Sequence, residues 1–378
     1  MLKNINVLSK CCKTPAYLTS EGLLIKNLEI LRDVERRAGC KILLAQKAFS
    51  QYSLYPLIGE YISGTTASGL YEARLGREKM GGETHVFSPA YCDEDFGQLL
   101  KICDHIVFNS FSQWEKFKDR AQGKVSCGLR LNPECSTQSN DIYDPCSPFS
   151  RLGITIKNFM PELLAGVDGF HFHTLCEQGF DALEKTLKVF FDKFGQYVGK
   201  LKWLNFGGGH HITRPGYDIG GLIEIIIKTR KEYGVEVYLE PGEAIALNAG
   251  FLAASVLDIV DNGMKIAILN VSAACHMPDV LEVPYTPQID GAEKPGIKQH
   301  SYRLAGNTCL AGDIIGDYSF DNELLPGDKI IFKDMAIYSM VKNNTFNGMP
   351  LPSIGVIKCD GKIVVTKEFG YEDFKMRL

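Results

Sequence analysis

Long apolar runs are missing from the 378 residues. None approaches the roughly 18 needed to cross a bilayer as a helix, so no membrane partner is expected. The twelve cysteines include no C-x-x-C spacing. Cys11 and Cys12 are adjacent, while Cys40, Cys127 and Cys176 sit inside apolar runs. Such thiols fit a reduced, buried state and exclude a disulfide framework or a zinc cluster. An excess of either charge is also lacking: 41 Lys and Arg face 45 Asp and Glu, for a net charge of -4. Nucleic acid and anionic lipid are therefore not expected partners, while a cationic small molecule is admissible. The opening residues, MLKNINVLSKCCKTP, carry no apolar stretch of the kind a secretion signal needs, so the expected location is cytoplasmic. No internal repeat and no low-complexity tract occurs.

What is present is alternation. Between about residues 21 and 244, helix-patterned segments (21–38, 52–62, 70–80, 93–102, 112–121, 180–194 and 221–233) separate eight short apolar runs. The runs fall near 41–45, 64–68, 84–87, 105–109, 125–131, 169–173, 203–206 and 237–240. Eight strands alternating with helices predict an α/β fold, a closed parallel (β/α)8 TIM barrel, over 21–244. One connection, 134–149 (ECSTQSNDIYDPCSPF), is long and polar, as functional or mobile loops and plain surface excursions both are. After about residue 245 the segments become short and β-rich, separated by turn residues such as Asp261-Asn262-Gly263 and Asp360-Gly361. That predicts a C-terminal antiparallel β domain, a sandwich or small barrel, over 245–378. A strand near 15–20 is expected as its first member, which would place 1–20 in the same domain.

The chemistry-bearing residues sit where strands end. Lys47 closes the first run, at the rim where barrel active sites lie. An amine in such low-dielectric surroundings becomes a nucleophile; a lysine simply reaching solvent is the plain alternative. His171 and His173 alternate with phenylalanines and share one strand face. With His210, His211 and His276 they allow a metal reading; a histidine ring can equally lie flat on a planar cofactor. Glu240 precedes Pro241-Gly242 and should project into the barrel mouth, beside a cofactor ring nitrogen or a neighbouring lysine. Gly207, Gly208 and Gly209 end the run 203–206. Their N–H groups are free of side-chain crowding, as an anion cradle requires and a tight turn also provides. A helix pattern from about Ile219 strengthens the phosphate reading. Cys309 follows a strand in a glycine-flanked turn, and Tyr338 could offer a hydroxyl to a phosphate; core packing is the alternative for both.

Together these segments resemble the alanine racemase-like barrel class of pyridoxal-phosphate decarboxylases, which includes ornithine, diaminopimelate and carboxynorspermidine decarboxylases. The resemblance runs through AQKA around Lys47, FHFH around His173, GGG at 207–209, EPG at 240–242, TCLAGD at 308–313, MAIY at 335–338 and TFNG at 345–348. The stretches LEPGEAI, HMPDVLEVPYTPQ and TCLAGD point to its carboxynorspermidine branch. The resemblance implies pyridoxal 5'-phosphate as cofactor, anchored by Lys47. It implies that His173 stacks on the ring, Glu240 partners the ring nitrogen, and Gly207–Gly209 with Tyr338 hold the phosphate. Cys309, reaching a neighbouring copy's site, is implied as the proton donor, and hence a homodimer with shared sites. Arg130 and Arg151 match family positions without an assigned role. Most relatives place an arginine directly after EPG; here Glu243 reverses that charge. The reversal disfavours a substrate with a distal carboxylate and favours distal amines, bound by Glu243, Asp279 and Asp313. The implied reaction is decarboxylation of a carboxylated triamine to norspermidine or spermidine, with a diaminopimelate- or ornithine-type decarboxylase as the alternative. Outside this family the rivals are a metal-dependent barrel hydrolase and a non-catalytic cofactor-binding protein.

Overall fold

The computed structural model describes residues 13–378; Cys11, Cys12 and most of the stretch read for a secretion signal lie outside them. Contacts divide the chain into two compact units. One is Asn27–Ile245, and the other joins the segment up to Lys26 with Ala246–Leu378.

The first strand, β1 (Ala16–Ser20), precedes the barrel in sequence. The barrel is a closed ring of eight strands: β2 (Lys41–Ala45), β3 (Gly64–Ala67), β4 (Glu83–Phe87), β5 (His105–Phe108), β6 (Ser126–Arg130), β7 (Gly169–His171), β8 (Trp203–Asn205) and β9 (Glu236–Leu239). Every neighbouring pair is parallel, and β2 pairs with β9 to close it. The predicted barrel is present, with strand ends shifted by one or two residues. Lys47 is one such case: β2 stops at Ala45, and Lys47 lies in the turn beyond it. The helix expected over 52–62 is broken into a 3-10 turn, Tyr52–Leu54, and the short helix Tyr55–Gly59. Pro56 at the start of the second piece accounts for the break, since its ring cannot continue a helix from the preceding turn.

Small residues let the barrel close on a large one. A side chain added at Gly128 on β6 or Gly169 on β7 would collide with the indole of Trp203 on β8. Trp203 packs with Leu43, Val107 and Tyr238 and donates to Ser126 Oγ (2.8 Å). At the N-terminal ends of the strands a charged network sits beneath this layer. Lys41 pairs with Glu83 and with Glu236 (3.0 Å), and Tyr238 donates to Glu236 (2.7 Å).

The second unit is a mixed eight-stranded sheet, where an antiparallel one was expected. Its strands after the barrel are β10 (Gly250–Asp261), β11 (Lys265–Leu269), β12 (His300–Ala305), β13 (Ile314–Phe320), β14 (Lys329–Lys333), β15 (Ser353–Ile357) and β16 (Ile363–Lys367). The order is β13-β12-β11-β10-β1-β15-β16, with β14 also paired to β10. Most pairs are antiparallel, but β1–β15 and β11–β12 are parallel. As expected, β1 joins this sheet, lying between β10 and β15. Strand β13 has no counterpart in the sequence reading; Gly316 and Asp317 interrupt its apolar pattern.

Candidate active site

One small cavity opens at the C-terminal rim of the barrel. It is walled by Ala45 and Lys47 after β2, Thr66, Ala67 and Ser68 at β3, Phe87 of β4, Arg130 of β6, His171 and His173 at β7, and Glu240 after β9. Parallel strands end together, so one residue from each of several strands meets its neighbours there.

Lys47 is exposed as a residue, with its side chain lining the cavity and crowded there by protein atoms. Burial lowers its pKa and the positive charge of Arg130 lowers it further, against the opposing pull of Glu240. Arg130 is itself buried, which brings its pKa down to about 10. Its guanidinium stacks 4.5 Å from the centre of the Phe87 ring and donates to the His173 carbonyl (3.1 Å).

Glu240 is a buried anion. Burial alone would raise its pKa, but the facing His171, with His85 and the Asn205 amide, outweighs it and brings it down to about 2. Asn205 donates to Oε1 (2.8 Å), and His171 donates from Nε2 to Oε2 (3.2 Å). Burial keeps His171 neutral, and its other ring nitrogen, also buried, has no partner. His173 is fixed in one tautomer: Nδ1 accepts the Gly208 N–H (2.8 Å), so the proton is on Nε2. Burial and the charges of Lys47 and Arg130 push its pKa well down, in agreement with that geometry.

The glycine turn differs from the expectation of a three-amide cradle. Gly207 N–H donates to Asn205 Oδ1 and Gly208 N–H to His173 Nδ1, both at 2.8 Å. Two of the three amides are thus engaged within the protein. The glycines are there because neighbouring backbone comes close: a Cβ on Gly208 would strike the Glu240 carbonyl, and one on Gly207 the Phe172 carbonyl. The helix that follows the turn is where the sequence pattern puts it. The helix starts ten residues later at Ile219, where Asp218 caps it by accepting from Gly221 N–H (2.9 Å). A carboxylate thus takes the end where an anion would bind.

Four of the five histidines that allowed a metal reading are engaged by the fold. His171 and His173 bond as above, His210 donates to the Gly207 carbonyl (3.1 Å), and His276 donates to the Pro350 carbonyl (3.1 Å). Among the described residues, the groups spaced for a metal ion are Glu83, His85 and His105, and Glu177, His211 and Glu243, so of the five only His211 belongs to one.

The remaining expected residues belong to the sheet unit. Cys309 is exposed, and its N–H is held by Asn347 Oδ1 (2.9 Å), which ties the TCLAGD turn to TFNG. Tyr338 takes a left-handed backbone, φ 49°. Asp279 pairs with Lys342. Asp313 is buried, accepting from Thr308 Oγ1 (2.6 Å) and Ala274 N–H (3.3 Å). These bonds tie its carboxylate to the fold of its own loop.

A cavity with a lowered-pKa lysine, a neutral flat histidine and a buried carboxylate is the donor set an aldehyde-bearing pyridine cofactor requires. The sequence matches the family described as "Pyridoxal-dependent decarboxylase, C-terminal sheet domain" over residues 16–336. The chain belongs to the pyridoxal-dependent decarboxylases. It is 45% identical to a carboxynorspermidine/carboxyspermidine decarboxylase of Campylobacter jejuni, covering 97% of this chain and 98% of that one. It is 40% identical to a carboxyaminopropylagmatine decarboxylase of Synechocystis, with 97% and 95% covered. The crystal structure of a Campylobacter jejuni carboxynorspermidine decarboxylase complexed with norspermidine superposes with a TM-score of 0.91 at 44% identity, covering 97% of this chain and all of that one. This decarboxylase chain also brings to the cavity Arg130, which had no role assigned from the sequence, and His171, while Asn205 holds Glu240 from behind. For Asn205 the signal was an amide inside an otherwise apolar run.

Proposed function

We propose that the protein decarboxylates a carboxylated triamine, converting carboxynorspermidine to norspermidine and carboxyspermidine to spermidine. The observation that carries this is the 45% identity, over nearly the whole of both chains, to a decarboxylase named for those two compounds. When bound, pyridoxal 5'-phosphate supplies an electron sink for the pair left behind as carbon dioxide departs. Lys47 anchors it through an amine kept unprotonated more readily by burial. Glu240 holds a proton on the ring nitrogen; His171 and Asn205 keep that carboxylate charged and aimed. His173 offers a neutral ring face for stacking. Gly209 and Tyr338 serve the phosphate, with Gly207 and Gly208 shaping the turn. Cys309, brought by a second copy of the chain in a homodimer, donates the proton that the α-carbon takes up. Glu243 and Asp279 bind ammonium groups. A cytoplasmic location belongs to the same reading.

The Synechocystis relative favours a second substrate, carboxyaminopropylagmatine, whose distal end is a guanidinium. Carbon dioxide release from all three compounds, meso-diaminopimelate and ornithine tests both. We expect kcat/KM for a carboxylated triamine to exceed that for ornithine or diaminopimelate by roughly 100-fold, the scale of one lost charge-assisted contact. Equal or faster turnover of ornithine would overturn the assignment, and preference for the guanidinium compound would select the second reading.

A further inference from the structure

Glu177, His211 and Glu243 meet on the barrel rim, in the loops that follow β7, β8 and β9. One oxygen from each carboxylate and one ring nitrogen of His211 all lie within 4.8 Å of one another. His211 is 6% exposed. Its Nε2 lies 3.2 Å from Glu243 Oε2, but out of hydrogen-bond alignment, and among the described residues neither ring nitrogen has a hydrogen-bond partner. A buried imidazole left in that state is unfavourable. It points to a group that this corner receives.

The backbone holds the cluster in place. Gln178 N–H donates to the Gly209 carbonyl (3.0 Å), and His211 N–H to the Gln178 carbonyl (3.1 Å), zipping the two loops together. Glu177 has φ 56°, a left-handed conformation that disfavours any residue with a Cβ and suits glycine. The chain keeps a carboxylate where its backbone would be more relaxed without one. Strain retained at such a position is a pointer to function.

We infer that Glu177 and His211 complete, with Glu243, a subsite for the secondary ammonium of the polyamine. The inference rests on the proposed function and adds two residues to it. A secondary ammonium has two N–H donors. Acceptors about 2.8 Å from its nitrogen, at roughly tetrahedral spread, lie about 4.5 Å apart, within the observed limit for the two carboxylates. A ring nitrogen of His211 lies within the same 4.8 Å limit, so the ammonium also brings a donor to the buried ring that lacks one.

Norspermidine and 1,7-diaminoheptane test this, since they differ in the central NH and match in length. Both are titrated calorimetrically into the holoenzyme. The wild type should bind norspermidine at least tenfold more tightly. Glu177→Gln and Glu177→Gly should each erase most of that preference, while Glu177→Gly raises the thermal midpoint by relieving the backbone. His211→Ala should reduce the preference, and His211→Gln, whose amide reaches toward the Nε2 position, should restore it. A wild type with no preference, or a Glu177→Gln variant that keeps all of it, overturns the inference even if carboxynorspermidine is decarboxylated. A retained preference without decarboxylation removes the proposed function and leaves the subsite standing. Stoichiometric divalent metal in the wild type, lost in Glu177→Gln, would reassign the cluster to a metal ion and overturn the inference.

Discussion

Glu240 shows how a single carboxylate is prepared by its neighbours. Burial works against its charge, and two hydrogen bonds together with nearby imidazoles reverse that effect. Its pKa is depressed on folding, to about 2, from roughly 4.3 in an unfolded chain. The stabilisation is therefore complete above the unfolded value and is lost as pH falls toward 2. With cofactor removed, urea midpoints between pH 5 and pH 3 should fall more steeply in the wild type than in Glu240→Gln. The difference should amount to on the order of 2 kcal/mol; parallel curves would remove this role. Lys47 and Glu240 were legible because strand ends at a barrel rim are where side chains converge. The partner of Gly208 was not, because His173 Nδ1 meets its N–H only once β7 and β8 lie side by side; the Asn205 bond to Gly207 is a local one across two residues. Glu177 left no trace: a polar residue in a loop reads as surface, and its left-handed φ is invisible until the two loops zip.

At the scale of elements, close approach explains most of what the barrel demands of its residues. Gly169 opens β7, and Trp203 covers the space its side chain would take. Gly169→Ala should lower stability by about 2–3 kcal/mol, in the range of overpacked core positions; thermal unfolding of the variant checks it, and an unchanged midpoint would mean the indole moves aside freely. The loop 134–149 also acquires a use. Thr137 Oγ1 donates to Gln178 Oε1 (2.7 Å), and Gln138 donates to the Cys176 carbonyl (3.2 Å), so the loop braces the segment that carries Glu177. Polar composition announced a loop there, but its docking depends on residues some forty positions away. The strands of the barrel were readable from their apolar runs. Strand β13 was not, because its ladder to β12 holds a sequence whose own pattern is broken at Gly316 and Asp317.

For the whole molecule, the proposed homodimer makes a prediction that a monomer could not meet. Lys47→Ala and Cys309→Ala should each be nearly inactive alone. Mixed and allowed to exchange, they should recover about a quarter of wild-type activity, since half the dimers are mixed and one of two sites in each is intact. Failure to recover, with mixed dimers shown by mass, would place both residues in one chain's site. The division into two units was foreshadowed by the change in period near residue 245, yet the position of β1 was only a suggestion from a short apolar stretch. That position has a consequence during synthesis. The segment Ala16–Ser20 emerges from the ribosome early and is buried along its whole length in the finished protein. Its neighbours at 250–253 and 353–357 come much later. Until then a sticky ribbon with both edges open trails behind a barrel free to close, and translation speed past residue 357 sets how long it stays exposed.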